Sequence, residues 1–288
     1  MTDMVGILGN PLNHSLSPAF QQAAFDYYNL DVRYMTWQTT KSELTQKIRE
    51  LSADRYLGAN VTIPYKEDIM AHLDIIDPQA LRMGAVNTIA KSKGALVGHN
   101  TDGYGFLSTL TSQKEFDFED RQVLLLGAGG AARAAAHSLS DKGIKRLTIA
   151  NRTIEKAQTI CSEFSDIELQ IVSSGISEPE ISEIARSADL IINATSIGMK
   201  HSGTEEVSLL SADQISPKAL VFDMVYNPPI TSLLREARRA NARIVNGLPM
   251  LIHQGALSFK LWTGLNPPIE IMHKAGLNAL NSTTNGSI

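Results

Sequence analysis

The chain of 288 residues is 43% hydrophobic and carries a formal charge of −4, which describes an ordinary globular protein long enough for two cores. Its charge excludes nucleic acid as the main partner, and its one cysteine, Cys161, excludes an intrachain disulfide and leaves no zinc-ligand spacing, so no metal is expected. No apolar stretch reaches the roughly 20 residues of a membrane span and no leader-like run opens the sequence, so a cytoplasmic protein with no membrane contact is expected.

VGILG (5–9) predicts a short strand that runs into NPLNHSLSP. Ser17 followed by Pro18 predicts a helix start, with serine as N-cap and proline at the first helical position. Phe20, Ala23, Ala24 and Tyr27 then share one helix face. VRYMTWQ (32–38) predicts a strand, KSELTQKIRELS (41–52) an amphipathic helix and YLGANVT (56–62) a third strand, after which Pro64 opens a helix at YKEDIMAHL. This alternation predicts a mostly parallel sheet with helices packed on it. Residues 88–100 read as a hairpin turning at Ser92–Gly94, which delivers HNTDGYGF.

Polar residues gather at the strand ends, where open α/β sheets bind ligands. Ser15 and Ser17 follow the first strand, and Asn60, Thr62 and Lys66 surround the end of the third. Asn87 and Thr88 come next, and the hairpin brings Asp102 to the region of Lys66. Each has a bland reading: the serines cap a turn and a helix, Lys66 is solvated, and Asp102 caps the helix after it. Together, these hydroxyls and amides with one lysine and one aspartate suit a small polyhydroxylated acid and supply one acid–base group.

VLLLGAGGAARA (123–134) predicts a buried strand, a glycine turn and a helix of strong formers over 131–139. The turn leaves backbone N–H groups and the positive end of a helix dipole facing one spot, which suits a pyrophosphate. Steric need in a tight turn is the alternative reason for the glycines. RLTIAN (146–151) predicts the next strand, and Thr153 caps a helix from Ile154 to about Phe164. An acid about 20 residues past the glycines would hold the ribose hydroxyls of NAD. Here Asn151, Arg152 and Thr153 stand instead, with Lys156 one turn on, and arginine pairs with a 2′-phosphate, so the sequence favours NADP. Glu155 is the nearby acid that keeps NAD open.

Strands are further predicted at 189–195, 219–226 and 242–247, with a helix from Thr231 to about Ala240, and the last of them is counted as the sixth strand of this half. Lys200–Asp213 reads as a mobile polar loop. A long helix from Leu248 ends at Gly264, a final helix runs roughly from Ile269 to Leu280, and NSTTNGSI reads as a frayed tail. Gln254 is a polar residue on an otherwise apolar helix, and its bland reading is one exposed turn.

GNPLNHSLSP, NVTIPYK, GAVNT, GHNTDGYGF, GAGGAARA, NRT, NATSIGM, DMVYNPP and GLPMLIHQGA occur in this order from residue 5 to about 280, and as a set they resemble the shikimate dehydrogenase family. The resemblance implies reversible reduction of 3-dehydroshikimate to shikimate with NADP(H), in aromatic amino acid biosynthesis. It implies that Ser15 and Ser17 hold the substrate carboxylate and that Thr62, Asn87, Asp102 and Gln254 bond the ring hydroxyls. It implies likewise that Tyr226 is a further pocket residue, Lys66 the catalytic lysine and Asp102 its partner. By the same resemblance, Ala128, Gly129, Gly130 and Ala131 would form the pyrophosphate loop, and Asn151, Arg152, Thr153 and Lys156 would clamp the 2′-phosphate. Thr195, Ser196, Met224, Gly247 and Met250 would line the path from adenine ribose to nicotinamide. Lys156 stands where the family often has arginine, which weakens discrimination against NAD.

The architecture implied is α/β with two domains. A mostly parallel α/β/α substrate domain spans 1–103, a Rossmann-type NADP-binding domain spans 104–246, and the C-terminal helices of 247–288 return to the first. Residues of the first domain would face the nicotinamide across a cleft, with Gly103–Gly105 and Asn246–Gly247 as hinges. Rival readings are a quinate/shikimate dehydrogenase that uses NAD and a catalytically silent shikimate-binding homologue. Loss of Lys66 or Asp102 would mark the latter, and both are present. Monomer and homodimer are both compatible with the composition.

Overall fold

The computed structural model describes residues 2–13, 15–112, 116–164, 170–175 and 180–285. Contacts divide the chain into two compact units, Met1–Ser108 with Leu251–Ile288, and Thr109–Met250.

The first unit opens with β1 (Asp3–Gly9), α1 (Ser17–Tyr27), β2 (Val32–Gln38), α2 (Leu44–Glu50) and β3 (Tyr56–Val61). A 3-10 turn (Asp68–His72), β4 (Ile75–Ile76), α3 (Pro78–Met83), β5 (Thr88–Ser92), β6 (Ala95–His99) and α4 (Asp102–Thr111) follow. The sheet order is β2-β1-β3-β5-β6-β4. β1 pairs in parallel with β2 and β3, whereas the β5–β6 hairpin is antiparallel to β3 and within itself. The hairpin turns at Lys93 and Gly94, both with positive φ, the conformation that matches the twist of a two-residue connection. Leu8, Val61, Ile69, Val86, Ile89 and Leu96 share one core, each contributing about 1.5–3 kcal/mol by burial.

Several local expectations change. Leu16, not Ser17, occupies the N-cap of α1, and the N–H of Ser17 is satisfied by the hydroxyl of Ser15 at 3.3 Å. No α-helix follows Pro64: the chain turns at a cis Ile63–Pro64 peptide, and helical bonding is limited to the 3-10 turn. α3 was not foreseen, although its signals were local. Asp77 accepts from the N–H of Gln79 at 2.9 Å, Pro78 opens the helix and Gly84 closes it.

The second unit holds β7 (Gln122–Leu126), α5 (Gly130–Ser140), β8 (Arg146–Ala150), α6 (Ile154–Ser162), β9 (Gln170–Ser174) and α7 (Glu180–Ser187). β10 (Leu190–Asn193), β11 (Leu220–Asp223), α8 (Ser232–Arg239) and β12 (Arg243–Val245) complete it. All six strands are parallel, in the order β12-β11-β10-β7-β8-β9. β9, third in chain order within this unit, was not among the strands expected from the sequence, and with it the unit reaches six. Thr153 stands at the N-cap of α6, but its side chain makes no capping bond, whereas Thr231 caps α8 by accepting from the N–H of Leu234. Leu124, Leu126, Ile191, Val221, Leu233 and Leu234 form this unit's core.

The expected mobile loop at 200–213 is tied down. Arg235 meets Glu206 at 2.5 Å, Ser232 donates to the Glu205 carbonyl at 2.8 Å, and the N–H of Ala212 donates to Glu236 at 3.1 Å. The chain ends with α9 (Leu248–Thr263) and α10 (Ile269–Asn285), so the helix continues into the stretch read as a frayed tail, whose last three residues lie outside the described ones. The unit boundaries fall within α4 and α9, a few residues beyond the expected 103/104 and 246/247. Gly103 and Gly105, expected as a hinge, are helical, and the N–H of Gly105 donates to the Thr101 carbonyl at 2.9 Å.

Candidate active site and dinucleotide site

In the first unit, four chain segments meet in one polar cluster. Lys66 comes from the loop after β3, Asn87 from the start of the β5 segment, Thr101 and Asp102 from the end of the hairpin, and Gln254 and Ser258 from α9. Lys66 Nζ lies 2.5 Å from Asp102 Oδ2, with side chains 26% and 12% exposed, so the ion pair is shielded but reachable. Asn87, buried, donates through Nδ2 to Asp102 Oδ1 at 2.8 Å, to Thr101 Oγ1 at 2.9 Å and to Gln254 Oε1 at 3.2 Å. Its Oδ1 accepts from the N–H of Thr101 at 2.8 Å. The N–H of Asp102 donates to Asn100 Oδ1 at 3.0 Å, which fixes the start of α4. A carboxylate held on one oxygen by an amide and on the other by an ammonium cannot rotate, and it holds the amine in one place.

Behind this layer stands a second one. Asn60 Nδ2 donates to Ser258 Oγ at 3.0 Å and Thr88 Oγ1 at 3.2 Å, while Asn60 Oδ1 accepts from the phenol of Tyr34 at 2.7 Å. Thr88 and Ser258 hydroxyls meet at 2.8 Å. Burial pushes the Tyr34 phenol above its ordinary pKa, while a hydrogen bond from Ser17 acts the other way. Thr101, Ser258 and Tyr34 were not foreseen. Ser258 had a legible signal, since it lies four residues after Gln254 and therefore on the same face of α9. Gln254, expected in the substrate site with an exposed turn as its bland alternative, is half-buried and joins Asn87.

Other expected substrate residues are less drawn in. Ser15 is half-buried and engaged with the N–H of Ser17. Thr62, half-buried just past β3, donates its N–H to the Leu8 carbonyl at 2.8 Å. Tyr226 belongs to the second unit, after β11, and burial raises its phenol pKa.

In the second unit the turn after β7 contains glycines of two kinds. Gly127 has φ 114°, and a Cβ there would stand 3.0 Å from Thr195 Cγ2 and 3.1 Å from the Ala194 backbone. The fold itself requires this glycine. Gly129, the N-cap of α5, has φ −96°, and a Cβ on it or on Gly130 would meet nothing within 4 Å. Neither tight packing nor strain accounts for those two, and they are exposed at a helix N-terminus. Bare backbone N–H groups with open space in front fit a pyrophosphate. Ala128 and Ala131 flank them, half-buried.

At the end of β8, Asn151 donates to the Thr153 carbonyl at 2.7 Å. Arg152, Thr153 and Lys156 are exposed, and neither cation forms an ion pair among the described residues. Two uncommitted cations at the end of the neighbouring strand fit a 2′-phosphate. After β10, Thr195 donates its N–H and its hydroxyl to Asn193 Oδ1 at 3.0 and 2.7 Å, and Ser196 is exposed. After β11, the N–H of Met224 donates to the Asn193 carbonyl at 2.9 Å, and that of Gly247 donates to the Val225 carbonyl at 3.1 Å. Met250 is buried.

Counted from β7, the strand order is 3-2-1-4-5-6, and the glycine turn and Thr195 both lie where that order reverses, between β7 and β10. The second unit is thus of the dinucleotide-binding α/β class. Residues 7–89 match the shikimate dehydrogenase substrate binding domain, 109–248 the shikimate/quinate 5-dehydrogenase family and 247–275 the shikimate 5'-dehydrogenase C-terminal domain. A shikimate dehydrogenase (NADP(+)) of Methanopyrus kandleri is 41% identical over 280 residues, 97% of this chain and 96% of its own. A crystal structure of a shikimate dehydrogenase in complex with NADP+ is 38% identical, with TM-score 0.89 over 97% of this chain and 96% of that one. The Thermus thermophilus shikimate 5-dehydrogenase in complex with NADP(H) and shikimate is also 38% identical, with TM-score 0.85 over 96% and 99%. The chain belongs to the shikimate dehydrogenase family. No described helix is long and apolar enough to cross a membrane.

Proposed function

We propose that the protein reduces 3-dehydroshikimate to shikimate with NADPH, reversibly, as a step of aromatic amino acid biosynthesis in the cytoplasm. The observation that carries this reading is the Lys66–Asp102 pair, held by Asn87 in a chain of this family. NADPH supplies a hydride to a carbonyl carbon, and negative charge develops on the carbonyl oxygen. The Lys66 ammonium stabilises that charge and donates the proton, and in the reverse direction its amine accepts the hydroxyl proton. Asp102 orients the amine, and Asn87 keeps Asp102 from turning.

Ser15 and Ser17 are assigned to the substrate carboxylate, and Thr62, Asn87, Asp102, Gln254 and Tyr226 to the rest of the substrate. Ala128, Gly129, Gly130 and Ala131 receive the pyrophosphate, and Asn151, Arg152, Thr153 and Lys156 the 2′-phosphate. Thr195, Ser196, Met224, Gly247 and Met250 line the remaining path. The substrate unit is read as 1–103 with 247–288 and the cofactor unit as 104–246. A homodimer is the assembly to test first, by light scattering.

The experiment follows the absorbance of reduced nicotinamide with shikimate or quinate against NADP or NAD. Turnover with shikimate and NADP is expected to exceed the other three pairs. A preference for quinate with NAD would favour the rival reading, which Glu155 and the forkless cation of Lys156 support. Silence with all four pairs would sink both.

A further inference from the structure

Asp223, the last residue of β11, is fully buried, and three donors converge on it, one from its own turn and two from elsewhere in the chain. Oδ1 accepts from Asn193 Nδ2 at 2.9 Å and from the N–H of Val225 at 3.0 Å. Oδ2 accepts from the hydroxyl of Thr231 at 2.6 Å. The proton directions are fixed by the next bonds outward. Thr231 Oγ1 already accepts from the N–H of Leu234, so its own hydrogen goes to Asp223. Asn193 Oδ1 already accepts from the N–H of Thr195, so its amide nitrogen faces Asp223.

The three donors are neutral, and burial raises the carboxyl pKa to about 6. A buried carboxylate with only neutral donors is costly compared with an apolar side chain, so packing alone does not account for it. What it does hold is the amide of Asn193 in one orientation. That amide receives both the N–H and the hydroxyl of Thr195, and Thr195 stands against Gly127 in the glycine turn.

We propose that Asp223 is a positioning residue for the dinucleotide, acting through Asn193 on Thr195 and the glycine turn without touching the cofactor. This rests on reading the second unit as the NADP site. An apolar residue at 223 leaves the Asn193 amide nitrogen with only its longer bond to the Ile197 carbonyl, at 3.2 Å, so the acceptor of Thr195 is held less firmly.

The test is NADP binding to the full chain by titration calorimetry, with shikimate KM and thermal midpoint measured alongside. Asp223→Ala should raise the NADP dissociation constant about tenfold, the effect of losing one buried acceptor, and leave shikimate KM within about twofold. Asp223→Asn, whose Oδ1 still accepts from Asn193 and Val225, should restore affinity to within about threefold of the parent. Thr231→Val removes one donor and keeps the carboxylate, and it should weaken NADP about threefold where the alanine variant fails to fold. A folded Asp223→Ala with parental NADP affinity would overturn the proposal, as would equal losses toward NADP and shikimate. Where the alanine variant does not fold, parental affinity in Thr231→Val would overturn it. A parent chain that binds no NADP would instead overturn the cofactor reading beneath it.

Discussion

Asn87 and Asp102 meet at 2.8 Å, and this contact decides which carboxylate oxygen faces Lys66. The amide takes Oδ1 and leaves Oδ2 for the ammonium. The pair thus has one geometry.

Replacing Lys66 by alanine removes the charge and the proton donor and alters no residue of the second unit. Turnover should fall about 10²- to 10⁴-fold, with NADPH affinity unchanged. Steady-state kinetics and a fluorescence titration of NADPH check both halves, and near-parental kcat would remove Lys66 from the chemistry.

Asn87→Ala leaves the N–H of Thr101 without its acceptor and frees Asp102 Oδ1. Stability should drop by about 1–3 kcal/mol, read by urea unfolding, and kcat should fall as well. Full activity in a folded variant would show that the amide does not hold the carboxylate for catalysis.

Gly129→Val separates fold from function in the glycine turn. The backbone at 129 suits any residue and open space surrounds it, so the thermal midpoint should stay within about 2 °C of the parent. NADPH binding should be lost, because the side chain fills the space the pyrophosphate needs. Gly127→Val should instead destabilise the fold, through its positive φ and its closeness to Thr195.

Arg152→Ala should weaken NADPH much more than NADH, since its guanidinium is free to meet a 2′-phosphate. Charge-assisted bonds of this kind contribute about 1.5–3 kcal/mol, so a loss of roughly 10- to 150-fold is expected in kcat/KM for NADPH. Equal losses with both cofactors would contradict the clamp.

Asp223 gives a pH signature. Burial raises its folded pKa to about 6, above the value in the unfolded chain, so the folded state holds the proton more tightly. Its contribution is fully present below about pH 4 and is lost as pH rises through about 6, a change on the order of 3 kcal/mol. In Asp223→Asn this dependence disappears. The stability difference between parent and variant, measured by denaturant unfolding from pH 4 to pH 7, should move against the parent as pH rises. A constant difference would show that the carboxyl titrates normally.

How much of this was legible in the chain differs by element. The β5–β6 hairpin, the β7 strand with its glycine turn and the Lys66–Asp102 proximity followed from local patterns. Ser17 as a cap and a helix at Pro64 were also local inferences, and both gave way. Ser15, two residues before Ser17, supplied the acceptor, and the chain at Ile63–Pro64 took a cis turn. α3 has an Asp-Pro start and a glycine end, but its six residues are too few to show a helical repeat of apolar positions.

By itself the sequence determined the alternation of strands and helices, the family and the identity of the charged groups. Those properties depend on backbone preferences and side-chain chemistry read over a few neighbouring residues. Only the tertiary structure decided that Thr101, Ser258 and Tyr34 complete the polar cluster, that Gly127 serves the fold while Gly129 and Gly130 leave space, and that Asp223 clamps Asn193. A buried polar atom must find its partner wherever the packed chain supplies one, and those partners lie far away in sequence.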